Sequence, residues 1–176
     1  LGTVCDVVPL IGLNRAIVTR GLEVLKNKLN LGLKTLKNVC GIESNITTYH
    51  LGYVIGPRIN AGGRVGKCSH GANLLLSKDS KETFKIATEL ESFNEERRLI
   101  ESNMLKKIKN TISINSDDPV IVLSGHNWHE GIIGIIASRL KEKYNKPTVI
   151  ISVEKGLGRA SARSVSGFDI GTVIIN

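Results

Sequence analysis

Cysteines and aromatic residues are scarce in this 176-residue chain, which has three cysteines, one tryptophan and 4% aromatic residues. Cys5, Cys40 and Cys68 are scattered, without the C-x-x-C spacing of zinc or redox sites, so we expect reduced thiols. The few aromatic side chains argue against a surface that stacks successive bases. No apolar run is long enough to span a bilayer, and no charged leader precedes an apolar core, which predicts a cytoplasmic protein.

The composition is otherwise that of a globular protein, with 41% hydrophobic and 23% charged residues. The length allows one large domain or two small ones. The net charge of +8 favours a polyanionic partner such as nucleic acid, although a generally basic proteome gives the same balance. Because the chain starts at Leu1 rather than at methionine, we expect it to be a piece of a longer protein.

Hydrophobic periodicity predicts two helical regions. Residues 14–38 space apolar residues at three and four, which is typical of one or two amphipathic helices. A capping box, Asp79-x-x-Glu82, precedes a longer pattern that we expect to connect two lobes. The predicted buried face of that long helix consists of Phe84, Ala87, Leu90, Phe93, Ile100, Met104 and Ile108. Between the two regions, residues 53–70 are rich in Gly and Arg and predict a long loop.

The second half of the chain predicts a βαβ unit. The strand "VIVLSG", the helix "IIGIIASRLKEKYNK" and the strand "TVIISV" follow in order, so the strands should be parallel. Ligands in such sheets lie at the carboxyl ends of strands, which places residues 124–131 at a candidate site. His126 and His129 lie there, but each could simply cap or pack, and H-x-x-H without a third ligand is a weak metal signal. Trp128 is more typical of a packing anchor.

Two stretches could bind phosphate. In "GPRINAGGR", a Gly-rich backbone carries Arg58, Asn60 and Arg64, and two guanidinium groups could clamp an anion there. A plain solvated turn is the alternative. In "GRASARSVSGFD", Arg and Ser alternate in a way that suits a terminal phosphate, and the alternative is an edge strand with an exposed polar face. The residues concerned are Arg159, Ser161, Arg163 and Ser164.

Asp6 is a single acid within the apolar opening "LGTVCDVVPL". A buried carboxylate needs a partner, and a divalent cation is one such partner. From the residues alone, a helix N-cap explains Asp6 better.

Taken together, these stretches resemble the RecJ-type exonucleases of the DHH/DHHA1 phosphoesterase superfamily. "GTVCDVVPLIGLNRAIVTRGL", "GPRINAGGRVGKCSHGANLLLSKD", "FNEERRLIESNM", "SGHNWHEGIIGIIASRLKEKYNKPTVIIS" and "GRASARSVSGFD" occur in the order seen in that family. The resemblance implies an α/β fold made of the end of a DHH lobe (residues 1–80), a connecting helix (81–111) and a DHHA1 lobe (112–176). The DHHA1 lobe should hold a mixed or parallel sheet flanked by helices.

The same resemblance implies a function. RecJ-like enzymes remove mononucleotides from the 5′ end of single-stranded DNA with Mn²⁺ or Mg²⁺, in repair and recombination. Other DNA repair proteins are expected partners, and a membrane is not. By position, Asp6 matches a catalytic metal-binding aspartate and His129 a catalytic phosphate-contacting histidine. The matching substrate-binding positions are Arg58, Asn60 and Arg64 near the cleft, and Ser161 and Arg163 at the 5′-terminal phosphate.

The chain also departs from that family. Neither the Asp-His-His motif nor the earlier D-x-D motif occurs in it, and the oligonucleotide-binding fold is absent. "NAGGR" and "ASARS" stand where "NAAGR" and a Gly-Ser-Gly-Arg-Ser segment are common. We therefore expect no substantial exonuclease activity from this chain alone. The alternatives are a related phosphodiesterase acting on short oligonucleotides or cyclic dinucleotides, and an inactive remnant that binds single strands.

Overall fold

The computed structural model describes residues 1–111 and 117–175. The chain divides into two compact units, Leu1–Glu96 and Arg97–Asn176. The boundary falls within one long helix, which starts in the first unit and ends in the second.

The first unit is helical. The region predicted as one or two amphipathic helices forms two, because Asn30 interrupts it and caps the second by accepting a hydrogen bond from the Leu33 backbone N–H at 2.9 Å. A π-helical segment, His50–Ile55, runs directly into the next α-helix. The α-helices are α1 (Gly2–Cys5), α2 (Gly12–Asn27), α3 (Leu31–Val39), α4 (Gly56–Val65), α5 (His70–Leu76) and the start of α6 (Ser80–Thr111).

Residues 53–70 are therefore mostly helical, and the predicted loop is wrong. The glycines that broke the pattern allow close packing rather than a flexible turn. A Cβ on Gly56 would lie 2.5 Å from Cys5 Sγ, and one on Gly62 would lie 2.8 Å from the Lys67 carbonyl oxygen. Pro57 lies in the first turn of α4, directly after the π-helical segment.

The long helix α6 is capped by Asp79, as predicted. The Asp79 carboxylate accepts hydrogen bonds from the N–H groups of Lys81 (2.6 Å) and Glu82 (3.0 Å). The reciprocal half of the capping box is replaced: the Asp79 N–H donates to the Ser77 hydroxyl, which donates to Glu82.

The buried face of α6 differs from the predicted one at its start. Ala87 and Leu90 are fully buried, but Phe84 is 61% exposed. The face instead includes the polar residues Thr83 and Asn94, which a count of apolar residues passes over. In the first unit, α6 packs on a core that contains Leu36, Ile55 and Leu74.

The second unit contains the predicted βαβ unit. Parallel strands β1 (Ile121–His126) and β2 (Thr148–Glu154) are joined by α7 (Glu130–Tyr144), and β3 (Leu157–Arg163) pairs with β2 antiparallel. Lys155 and Gly156, with φ of 51° and 81°, make the two-residue turn between β2 and β3. The mixed sheet, in the order β1-β2-β3, confirms the predicted fold class, and α8 (Ile170–Ile175) follows it.

Candidate phosphate-binding site

The loop after β1 is held rigidly by Trp128. Its side chain is 7% exposed and lies against Gly125, and its carbonyl accepts a hydrogen bond from the buried Ser152 hydroxyl at 2.6 Å. Trp128 is the packing anchor that its sequence context predicts. These contacts of Trp128 fix the path of the loop that leads from β1 into α7.

His129 is the N-cap of α7. Its Nδ1 accepts a hydrogen bond from the Gly131 backbone N–H at 3.2 Å, which is the capping role considered for this residue. A phosphate contact by His129 stays a prediction. His126, at the end of β1, is exposed. Among the residues with a described placement, no three His, Cys, Asp or Glu side chains are grouped as metal ligands.

A row of polar contacts joins α7 to β3, and we call it the polar seam. It has three levels along the two elements: Arg159 bonds to the Glu130 carboxylate, Ser161 lies over Gly134, and Arg163 Nε donates to the Ser138 hydroxyl at 2.9 Å. The seam comprises Glu130, Gly134 and Ser138 on α7 and Arg159, Ser161 and Arg163 on β3.

Helix and strand geometry explain why these residues meet. Residues four apart lie on one face of a helix and advance about 6 Å, whereas residues two apart lie on one face of a strand and advance about 6.7 Å. Because α7 and β3 run in the same direction, the two series stay almost in step over three levels. The alternating Arg and Ser that we considered for phosphate binding do lie on an edge strand, and the polar face of that strand contacts α7.

The two arginines of the seam differ electrostatically. Arg159 pairs with a carboxylate, which neutralises its charge locally. Arg163 donates to two neutral groups instead. Its Nε donates to the Ser138 hydroxyl, and its Nη1 donates to the carbonyl of Ala162 at 3.0 Å. Within the described part of the chain, no carboxylate pairs with Arg163 and no hydrogen bond uses the Ser161 hydroxyl. The Arg163 end of the seam therefore keeps a positive charge that no carboxylate of the described residues neutralises.

In the first unit, Arg58 points inward from α4. Its Nη2 donates to Glu91 Oε1 at 3.0 Å, its Nε donates to Glu91 Oε2, and its Nη1 donates to the Val54 carbonyl at 2.8 Å. The Arg58 and Glu91 side chains are only 15% and 24% exposed. Each Nη still has one further N–H to offer, so a phosphate contact by Arg58 stays a prediction.

Asn60 and Arg64 are exposed on α4, four residues apart and hence on one face. Arg58 and Arg64 are about 120° apart around the same helix, which replaces the predicted loop, and a joint phosphate contact by their guanidinium groups stays a prediction.

The arginine–glutamate pair on α4 and α6 also affects a thiol. The pKa of Cys40 is raised to about 11, mainly by burial, while Arg58 opposes the rise and Glu91 adds to it. Burial also raises the pKa of Cys5. All three cysteines are free, as expected, and Cys68 is exposed.

Asp6 lies just after α1, at its C-terminal end, and is exposed. Both the buried position and the helix N-cap inferred from the sequence are therefore wrong: the short helix α1 ends before Asp6 and turns its side chain to solvent. Its neighbour Cys5 packs on Gly56 and bonds to the Leu51 carbonyl at 3.4 Å, which anchors Asp6 beside the π-helical segment.

Glu130, Gly134 and Ser138 were missed by the sequence reasoning. The signal was present, since non-apolar residues recur every four positions in the otherwise apolar start of α7. Reading it requires knowing that β3 lies against that face of the helix.

The C-terminal part of the chain matches a known domain family. Residues 117–176 match the DHHA1 domain family. This stretch contains β1, α7, β2, β3 and α8, and with them the whole polar seam.

The resemblance to RecJ is also confirmed, and it covers nearly the whole chain. The chain is 36% identical to the single-stranded-DNA-specific exonuclease RecJ of Bacillus subtilis, over 97% of its own length and 22% of that protein's. It is similar to the crystal structure of Thermus thermophilus RecJ in complex with Mg²⁺, with a TM-score of 0.86, 31% identity, and coverage of 99% of this chain and 27% of that one. For the Mn²⁺ complex from the same organism, the TM-score is 0.82 at 32% identity, over 94% and 24% of the two chains.

The chain spans about a fifth to a third of the length of the curated relatives it matches. No described helix is long and apolar enough to cross a membrane.

Proposed function

We propose that the chain is part of a single-stranded-DNA-specific 5′–3′ exonuclease that hydrolyses phosphodiester bonds with Mn²⁺ or Mg²⁺. The RecJ relatives are single-stranded-DNA-specific exonucleases by name, and related structures contain Mg²⁺ or Mn²⁺. A cytoplasmic location and other DNA repair proteins as partners belong to the same proposal. The net charge of +8 supports a polyanionic substrate.

The part of this chain in that activity is to hold the 5′-terminal phosphate at Ser161 and Arg163. The observation that carries this assignment is the contrast within the polar seam: Arg163 bonds to neutral groups, while Arg159 is paired with Glu130. A guanidinium group and a hydroxyl on one surface are the groups that bind a phosphate dianion.

Further along the strand, we assign phosphate contacts to Arg58, Asn60 and Arg64. Asn60 and Arg64 share an exposed face of α4, and Glu91 holds Arg58 in one orientation. His129, at the start of α7, is assigned a contact with a phosphate group through the ring nitrogen that does not cap the helix.

The residues described do not make a complete metal site. Asp6 offers one exposed carboxylate, whereas Mg²⁺ and Mn²⁺ take about six ligands, mostly oxygens. We therefore assign Asp6 as a single metal ligand and expect this chain alone to hydrolyse DNA poorly.

Binding to end-labelled single strands tests the terminal-phosphate assignment. The chain is titrated at fixed low salt with the same oligonucleotide carrying a 5′-phosphate or a 5′-hydroxyl. Loss of a hydrogen bond to a charged group costs roughly 1.5–3 kcal/mol, so Arg163→Ala should weaken binding of the phosphorylated strand about 10-fold to 150-fold and leave the hydroxyl strand little changed. Arg98→Ala, an exposed arginine on α6, is the matched control. Equal binding of both strands by the unmodified chain would refute the assignment.

A further inference from the structure

We propose that Ser138 and Gly134 on α7 are positioning residues that make the seam selective for a terminal phosphate monoester over an internal diester. This inference rests on the proposed function and extends it to two residues that need not touch the DNA.

Ser138 orients the guanidinium group of Arg163. The Ser138 hydroxyl donates to the Gly134 carbonyl at 3.1 Å, so its lone pairs face outward, and one of them accepts from Arg163 Nε at 2.9 Å. Arg163 Nη1 is held by the Ala162 carbonyl. With two of its three nitrogens fixed, an exposed arginine side chain keeps its third, Nη2, in one place.

Gly134 keeps the surface between the two phosphate-binding groups open. A Cβ at this position would lie 3.1 Å from Ser161 Oγ and 3.3 Å from Arg163 Nη2. The hydroxyl and the guanidinium nitrogen therefore lie beside each other over Gly134, close enough for the oxygens of one phosphate group to contact both. Any side chain at residue 134 would press on both groups.

The charge at this point favours the end of a strand. A terminal phosphate carries about −1.5 to −2 at pH 7 and three acceptor oxygens, whereas an internal diester carries a single negative charge. Because Glu130 neutralises Arg159 at the other end of the seam, one unneutralised guanidinium group remains, and its two Nη2 hydrogens suit a group with several free oxygens. The discrimination between a terminal monoester and an internal diester therefore belongs to the Arg163 end of the seam, where Ser138 and Gly134 of α7 fix the position of the guanidinium group.

The test measures the ratio of the dissociation constants for the 5′-hydroxyl and the 5′-phosphorylated strand. Ser138→Ala should lower this ratio roughly threefold to tenfold, the effect of one hydrogen bond, while binding of the 5′-hydroxyl strand stays constant. Ser138→Thr, which keeps the hydroxyl, should retain the ratio. Gly134→Ala should lower it as well. Ser102→Ala on α6 and Gly158→Ala on β3, where a Cβ meets nothing closer than 3.5 Å, are the matched controls.

Circular dichroism and urea unfolding of each variant separate loss of fold from loss of selectivity. If the unmodified chain prefers the phosphorylated strand and both Ser138→Ala and Gly134→Ala keep that preference, this inference is wrong and the proposed function stands. If Ser138→Thr lowers the ratio of dissociation constants as much as Ser138→Ala does, the hydroxyl has no positioning role. If the unmodified chain binds both strands equally, the terminal-phosphate assignment and this inference fail together.

Discussion

Removing Glu91 should destabilise the first unit by about 2–3 kcal/mol. Breaking a fully buried ion pair costs roughly 3–5 kcal/mol, and an exposed pair contributes about 0–1 kcal/mol. The Arg58–Glu91 pair lies between these limits but nearer the first, because its side chains are 15% and 24% exposed. Glu91→Ala leaves the Arg58 guanidinium with the Val54 carbonyl as its remaining described partner.

Urea unfolding followed by far-ultraviolet circular dichroism measures this loss. Glu23→Ala is the matched control, since it removes the Arg20–Glu23 pair, whose side chains are 78% and 52% exposed, and should cost less than about 0.5 kcal/mol. Replacing Arg58 and Glu91 together by methionine should recover most of the stability, because neither charge is then left unpaired. A loss of under about 0.5 kcal/mol for Glu91→Ala would show that the pair is solvated and would refute the reasoning.

Three further predictions follow from the thiols, a helix cap and the core. Iodoacetamide at pH 8, followed by mass spectrometry, should label the exposed Cys68 first and Cys40 last. The pKa of Cys40 is about 11, so only about one part in a thousand of this thiol is ionised at pH 8. Rapid labelling of Cys40 in the folded chain would contradict its burial. Hydrogen bonds from the Thr172 hydroxyl and the Gly171 N–H lower the pKa of Asp169. The Asp169 carboxylate therefore stabilises α8 fully above its unfolded pKa of about 3.9, and this stabilisation is lost as the pH falls through the lower pKa of the folded chain. The protection factors of the α8 amides, which are corrected for the intrinsic pH dependence of exchange, should fall over that range, and not in Asp169→Asn. Ile136→Ala, in the fully buried face of α7, should cost about 2–5 kcal/mol in urea unfolding, and a cost below 1 kcal/mol would contradict its packing.

The βαβ unit could be predicted because its signals are local. Branched apolar runs marked both strands, and the apolar pattern between them marked α7, so each element was found within about two residues. Trp128 could be predicted as an anchor for the same reason: one large apolar side chain in a polar loop has few alternatives to burial.

The helix after the π-helical segment could not be predicted from composition. Gly56 and Gly62 lower the helix propensity of α4, but each is needed for a close contact. Gly56 lets Cys5 approach, and Cys5 is distant in sequence. Gly62 lets the Lys67 carbonyl approach, which depends on the path of the chain after the helix. Asp6 was misplaced for a related reason. An acid in an apolar run appears buried, but the helix before it is one turn long and ends by turning Asp6 outward.

The candidate phosphate site was predicted in part. Ser161 and Arg163 were named from their alternation, but their partners on α7 depend on the alignment of a helix with an edge strand, which the sequence alone does not show. The sequence therefore named Ser161 and Arg163 without the contacts on α7 that distinguish Arg163 from Arg159.

The polar seam is limited in length, because the spacing of matching residues on α7 differs from that on β3. Each level of α7 falls short of the matching level of β3 by about 0.7 Å, so the mismatch grows to about 1.4 Å at the third level and would reach about 2 Å at a fourth. That fourth level would set Glu142 against Val165, where no polar contact could form, and Glu142 turns to Arg139 instead. Lengthening α7 or β3 would therefore not extend the seam beyond Arg163.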